Sequence, residues 1–373
     1  MKKIAILLAG GSGERFWPVS RLKKPKQLLP LNSNKPLIEE AIERITTVIP
    51  LNDIYIFTNL ITYEPIKEVL HYFPKENIIP EPLKRNTAPA LAYAMSFILS
   101  KYGQQYKNEE ILVGVFTSDQ KIDPIDKFQQ TIEVAFEYVS KNPKIATIGI
   151  VPTRPDTAFG YIEVGNALDS ETKILYEVQR FREKPDFETA KKYIEQGNYY
   201  WNSGMFFWRL DTFLYESQRY MPLIFEKIFS LKAIFEEYKN FYTDQIIEKI
   251  LPIFDSFPDI SIDYALMEKT KNIVLVKSQF DWDDIGSWDA LDRTKQKDGN
   301  GNVNFGNNLL IETSNSIVFN NTTCDGLKVC LVGMENVVVV VTNDAVLVCA
   351  KEQVQKVKKC VEELKKNSED KYL

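Results

Sequence analysis

Between Leu7 and Pro30 the sequence reads LLAGGSGERFWPVSRLKKPKQLLP. An apolar run gives way to Gly10, Gly11 and Gly13, and then to five cations, Arg15, Arg21, Lys23, Lys24 and Lys26, with no acid after Glu14. Glycines let the backbone turn tightly and bring its N–H groups close to an anion. Arginine and lysine add positive charge at the same place, so the chemistry that suits the stretch is the binding of a small phosphate-bearing molecule. The spacing is not that of a Walker A loop, because G-x-x-x-x-G-K-[ST] is absent. It is not the dinucleotide fingerprint either, because Phe16 stands where the third glycine would be. The plainer alternative is a tight turn followed by a solvated basic loop, and Lys23 and Lys24 are read that way. Two distant acids belong to the same search for chemistry. Asp119 follows the apolar run ILVGVFTS, and Asp284 follows Trp282 at the end of another strand-like run.

Composition removes several classes of function. The single histidine, His71, leaves no histidine metal cluster and only one possible base for a Ser-His-Asp triad. It sits in VLHYFP at the end of a predicted helix, which suits a structural or surface role. A net charge of −5 over 373 residues gives no global basic field for nucleic acid. No apolar stretch is long enough to span a membrane. The apolar run after Met-Lys-Lys is short and enters glycines, so it predicts a buried strand rather than a signal peptide. Cys324, Cys330, Cys349 and Cys360 form no C-x-x-C pair. They are expected to be reduced, mostly buried thiols of a cytoplasmic protein.

The elements that must position these residues follow from hydrophobic period. KIAILLA, DIYIFTN, NIIPEP, ILVGVFTSD and KIATIGI read as strands. LIEEAIERITTVI, TAPALAYAMSFILSKY and FQQTIEVAFEYV between them read as helices. This alternation predicts an α/β fold with a doubly wound, mostly parallel, Rossmann-like sheet. Beyond residue 150, GYIEVG and ILYEVQRFREKP read as antiparallel strands, SGMFFWRL as another strand and SIDYALMEKT as a short helix. After the Gly/Asn cluster at 298–308, short β-branched runs predict a small C-terminal β domain with solenoid-like stacking. A terminal helix presents Val354, Val357, Val361 and Leu364 on one face. The expected domains are 1–297, catalytic, and 298–373, β-rich.

The stretch LLAGGSGERFWPVSR with KPKQ resembles the signature loop of the sugar-phosphate nucleotidyltransferases. FWPVSR and KPKQLLP resemble, within them, the guanylyltransferases that act on mannose 1-phosphate. EPLKRNTAPA, FTSDQ, FGYIEVG, FREKPD, WNSGMFFW, SIDYALMEK and WDDIGSWDAL follow in the family's order, so the resemblance covers essentially the whole chain. The chain resembles the short bacterial form, without the isomerase domain of bifunctional relatives. The resemblance implies the nucleotide-diphospho-sugar transferase fold with a β-helix-like C-terminal part. It implies the conversion of GTP and mannose 1-phosphate to GDP-mannose and pyrophosphate. Arg15 and Lys26 would be catalytic. Gly10, Gly11, Ser12, Gly13, Glu14, Arg15, Glu81, Asn86, Thr87 and Asp119 would hold the nucleotide. Lys26, Gly160, Tyr161, Glu183, Lys184 and Asn202 would hold the sugar phosphate. Asp119 and Asp284 would hold Mg²⁺ or another divalent cation. Asn86 and Thr87 also sit where a helix begins, so capping is a second reading of them. Gln120 stands where the family usually has histidine. Alternatives are another sugar 1-phosphate such as a manno-heptose, or a non-catalytic homologue that senses a sugar nucleotide. The retention of Arg15, Lys26, Asp119 and Asp284 argues against the second. The apolar C-terminal runs make a homodimer possible; no nucleic-acid or membrane partner is expected.

Overall fold

The structure is a computed structural model that describes residues 1–169, 171–239, 244–323 and 327–373. The apolar runs form strands β1 (Lys2–Leu8), β2 (Ile54–Asn59), β3 (Ile78–Glu81), β4 (Ile111–Thr117), β5 (Lys121–Asp123), β6 (Ile145–Ile150), β7 (Tyr161–Ala167), β8 (Leu175–Arg182), β9 (Tyr199–Arg209), β10 (Ile273–Lys277) and β11 (Asp281–Asp283). Nine of them make one sheet in the order β3-β2-β1-β4-β9-β6-β10-β8-β7. β1 is parallel to β2 and β4, and β10 to β6, whereas β9 runs antiparallel between β4 and β6. Ile4, Ala5, Ile6 and Leu7 are wholly buried because helices cover both faces of the sheet, which is why β1 reads as a continuous apolar run.

Helices α1 (Leu37–Thr46), α2 (Leu60–Val69), α3 (Thr87–Tyr102) and α4 (Ile125–Lys141) connect the first strands. α1, α2 and α4 pack on one face and α3 on the other. α3 is buried nearly all round, because the helix at Pro222–Glu237 lies over it as a second layer. The segment expected as a short helix around Ser261 is a π-helical turn at Asp263–Met267. Among the described residues no helix is long and apolar enough to cross a membrane.

The C-terminal part holds β12 (Val303–Phe305), β13 (Asn308–Ile311), β14 (Ile317–Asn320), β15 (Val329–Val332), β16 (Val337–Val341) and β17 (Val346–Ala350). β12, β14 and β16 stack in parallel, β13 and β15 do the same on a second face, and β17 closes the larger sheet antiparallel to β16. Val318, Leu331, Val339 and Val341 fill the coil. The other side of the larger sheet, through Ile317, Phe319, Val338 and Val340, shares a core with Phe16, Leu29, Ile285 and Trp288. The C-terminal β part therefore packs directly on the opening loop. Val354, Val357 and Val361 are buried as their spacing predicts and Leu364 is half-buried, but Val354 stands on a 3₁₀ stretch, Lys351–Lys356, that precedes the α-helix Val357–Lys366.

The cysteine expectation needs correction. Cys330 is exposed and Cys349 half-buried because alternate side chains of a thin two-faced coil point outward, and Cys360 is exposed on the outer face of the terminal helix Val357–Lys366. Cys324 lies outside the described residues. His71 is exposed, edge-on to Tyr72.

Candidate functional site

Glycine is required at Gly13 by geometry: φ is +61°, and a Cβ there would collide with the Cβ of Lys26. Neither reason holds at Gly10 and Gly11. Their φ values lie outside the left-handed region, and a Cβ would meet nothing within 4 Å. Nothing in the protein itself requires glycine at these two positions, which border open space. Among the described residues the N–H groups of Gly11, Ser12, Gly13, Glu14 and Arg15 donate to no protein acceptor. A run of free N–H groups beside cations is an anion cradle. Lys23 and Lys24 are exposed, as their solvated reading requires, and Arg21 is tied to Asp344 at 2.7 Å.

Two distant acids meet here through a small clamp. β5 and β11 pair antiparallel, with Lys121 opposite Asp283. Asp119 lies two residues before β5 and Asp284 one residue after β11, so antiparallel register delivers both to the same end of the clamp. Lys26, only 6% exposed, reaches between them. Its Nζ donates to Asp119 Oδ2 at 2.9 Å and to the Asp284 carbonyl at 2.5 Å. The neighbouring Asp283 is spent on structure. It pairs with Arg293 at 2.9 Å and accepts from the Ile285 N–H at 2.8 Å. The Asp284 carboxylate accepts no hydrogen bond among the described residues, and burial pushes it up to about 6 against the pull of Lys26. A Cβ on Gly286 would sit 2.5 Å from Asp284 Oδ2, so glycine keeps that carboxylate clear.

The loop, Lys26, Asp119 and Asp284 line a cavity of about 610 Å³. A second cavity, about 480 Å³, shares Gly11, Lys84 and Asp119 with it and is lined further by Gly10, Glu81, Asn86 and Thr87. Burial pushes Glu81 up to about 8. Asn86 caps α3, its side chain accepting from the Thr87 N–H at 2.9 Å, and Thr87 Oγ1 accepts from Ile262 N at 2.8 Å. Capping is thus part of what Asn86 does, whereas Thr87 ties the start of α3 to the segment at Ile262.

The residues expected on the sugar side form their own cluster. Gly160 leaves room for Glu183 Oε2, onto which a Cβ would project. That oxygen is buried without a hydrogen-bond partner, while Oε1 pairs with Lys184 at 2.8 Å. Asn202, on β9, donates to Asp263 Oδ1 at 3.0 Å. Tyr161 departs from the expectation. Its ring is wholly buried and its hydroxyl donates to the Asp156 carbonyl at 3.0 Å, so its side chain belongs to the core. Gln120 is also committed, donating to the Ser203 carbonyl at 2.7 Å and accepting from Trp282 Nε1 at 2.9 Å. Sequence reasoning missed Asp263, which burial and the nearby Glu183 push up to about 7. It also missed Lys84, Gln355 and Lys358, which line the larger cavity. Asp263 had a signal, an acid inside the otherwise apolar SIDYALM. The other three had none, since polar residues on a surface loop or helix look alike whether or not a cavity lies beside them.

An open α/β sheet with an anion-cradling loop at the carboxyl end of its first strand, and two acids and a lysine converging beside it, defines a phosphate-handling transferase site. The chain belongs to the nucleotidyl transferase family, which matches residues 4–301; the mannose-P isomerase/GMP-like β-helix domain matches residues 306–364. Over 373 residues it is 37% identical to an Escherichia coli mannose-1-phosphate guanylyltransferase, covering 99% of this chain and 75% of that one. It is 39% identical to the Salmonella montevideo enzyme of the same name, covering 96% and 73%. A solved structure from Thermus thermophilus, described as mannose-1-phosphate geranyltransferase, superposes with a TM-score of 0.83 at 29% identity, covering 98% of this chain and all of the other.

Proposed function

We propose that the protein transfers the guanylyl group of GTP to mannose 1-phosphate, yielding GDP-mannose and pyrophosphate. The observation that carries this reading is the convergence of Lys26, Asp119 and Asp284 beside a loop of free backbone N–H groups. The nucleophile is a phosphate oxygen of the sugar phosphate, largely ionised near neutral pH because its second pKa is about 6. It attacks the α-phosphorus. The new P–O bond forms as the bond to the β-phosphate bridging oxygen breaks, and pyrophosphate leaves with the electron pair. No general base is needed, which suits a site without histidine.

The protein's task is to align two polyanions and to stabilise charge as it moves. The free N–H groups from Gly11 to Arg15 receive phosphate oxygens, and Arg15 faces the leaving pyrophosphate. Lys26 meets the phosphate where bonds exchange. Gly10 and Gly11 leave an open floor for the nucleoside. The N1–H and amino group of guanine favour the carboxylate form of Glu81, which burial alone disfavours, and Glu81 then accepts from both, donors that adenine does not present in that arrangement, so GTP is preferred over ATP. Glu183 Oε2 and Asn202 take sugar hydroxyls, with Lys184 adding charge beside them. Asp119 and the donor-free carboxylate of Asp284 fit a hard divalent cation such as Mg²⁺, which when bound neutralises phosphate charge. In this reading residues 1–297 are the catalytic part and 298–373 the β part. The chain works in the cytoplasm. It pairs as a homodimer through outward apolar residues of the C-terminal strands, Ile311, Val332, Val346 and Val348, each at least 45% exposed. Incubation of the purified protein with GTP, mannose 1-phosphate and Mg²⁺ tests the proposal by pyrophosphate release. Release with another sugar phosphate alone would reassign the substrate, and no release with any would overturn the reading.

A further inference from the structure

Most arginines near a carboxylate in this protein are paired with it: Arg21 with Asp344, Arg154 with Asp156, Arg209 with Asp211 and Arg293 with Asp283. Arg15 differs. Among the described residues no carboxylate lies within ion-pair distance of its guanidinium. Its side-chain partner is neutral, with Nη1 donating to Gln355 Oε1 at 3.0 Å. The other end of the Gln355 amide is used as well, Nε2 donating to Ser287 Oγ at 2.8 Å. Ser287 is buried and follows Gly286. Its hydroxyl contacts Asp289, whose second oxygen accepts from Arg293 Nη1 at 3.2 Å. Gln355 itself is set by Val354 and Val357, buried in the core that holds Phe16 and Trp288. One amide from the C-terminal segment therefore spans the loop that carries Arg15 and the loop that carries Asp284.

We infer that Gln355 is a positioning residue of the phosphate end of the site, a neutral strut that aims Arg15 at the nucleotide phosphates without quenching its charge. This role rests on the proposed assignment of Arg15 to those phosphates. An amide oxygen fixes one guanidinium N–H and leaves the full positive charge for a ligand. A carboxylate at the same point would hold the guanidinium in a charge-assisted pair and cancel the field that attracts the triphosphate.

Gln355→Glu keeps the shape and inverts the logic. It is expected to melt within a few degrees of the wild type. Its affinity for Mg·GTP and for pyrophosphate, each measured by calorimetry without sugar phosphate, should fall about tenfold or more. Turnover should fall with them, while the KM for mannose 1-phosphate changes by less than about threefold. Gln355→Ala, which leaves the charge but frees the side chain, should lower turnover more than GTP affinity. In an Arg15→Gln background the Gln355→Glu change should cost clearly less than in the wild type, because only the direct repulsion between the new carboxylate and the phosphates remains. Equal GTP binding by wild type and Gln355→Glu, or full independent effects in the double variant, would overturn the role. If the wild type releases no pyrophosphate, the functional reading fails, and the GTP-binding comparison still decides the role of Gln355.

Discussion

Lys26 carries its ammonium into a place almost closed to water, with Asp119 on one side and the Asp284 carbonyl on the other. Such a charge acts with little screening and costs no reorganisation when the reaction begins. Lys26→Gln is therefore expected to lower turnover by about 10²–10³, with a smaller change in sugar-phosphate KM; pyrophosphate release at saturating substrates measures it, and near-normal turnover would remove Lys26 from the chemistry. Asp284 yields a prediction about pH. Its carboxyl rises from 3.8 to about 6 in the fold, so folding favours the protonated form. Well below 3.8 the group is protonated in both states and exacts no penalty. As pH rises from 3.8 to about 6 the fold loses stability, and above 6 the loss levels off on the order of 2–3 kcal/mol. In metal-free buffer Asp284→Asn should then melt roughly 2–5 °C above the wild type at pH 7.5 and level with it well below pH 3.8. Millimolar Mg²⁺ should raise the wild-type midpoint and leave the variant unmoved. A variant that melts lower at pH 7.5 contradicts the assignment of Asp284 as a half-buried, donor-free carboxylate.

At the scale of elements, the site depends on edges and turns more than on helices. Gly160 precedes β7 and holds space for Glu183 at the end of β8. Gly160→Ala should drive the Glu183 carboxylate aside and raise the KM for the sugar phosphate about tenfold or more, while GTP binding measured alone stays unchanged. Loss of GTP binding would mean that the two halves of the site are not separable. Much of this layer was legible in the sequence. Apolar runs marked β1 and β4, and Thr87 with Pro89 marked the start of α3, because burial on both faces and capping chemistry leave local traces. The convergence of Asp119 and Asp284 was inferred from strand ends, but the device that produces it, the β5–β11 clamp, is only three residues on each side and has no period to read. Nor does MFFW reveal that β9 enters the middle of the sheet against its neighbours, since a buried strand looks the same in any slot. Gln355 was invisible for a related reason: the pattern of the terminal segment reports its apolar face, and Gln355 works from the other side.

For the whole molecule, the opening loop and the C-terminal part are a single packed unit. Phe16 and Trp288 meet at 5.0 Å, Trp288 and Phe319 at 5.1 Å, and Glu14 pairs with Lys365 at 2.6 Å. Cutting the chain to 1–297 would uncover Phe16, Leu29, Ile285 and Trp288, and exposing each such side chain costs about 1.5–3 kcal/mol. That fragment should elute as aggregate and show no pyrophosphate release, whereas a monomeric fragment with wild-type turnover would make the C-terminal part dispensable. The central slot of β9 has a consequence of a different kind. β4 cannot be covered on that side until Tyr199–Arg209 exists, roughly 80 residues after β4 ends. At about 5–20 residues per second, a ribosome leaves the growing chain with an unpaired, strongly apolar sheet edge for roughly 4–16 s. The same strand that carries Asn202 to the proposed sugar site thereby sets a clock on biosynthesis: that edge of β4 stays open until β9 emerges, and slowing translation between codons 118 and 198 should lower the soluble yield without altering a single residue.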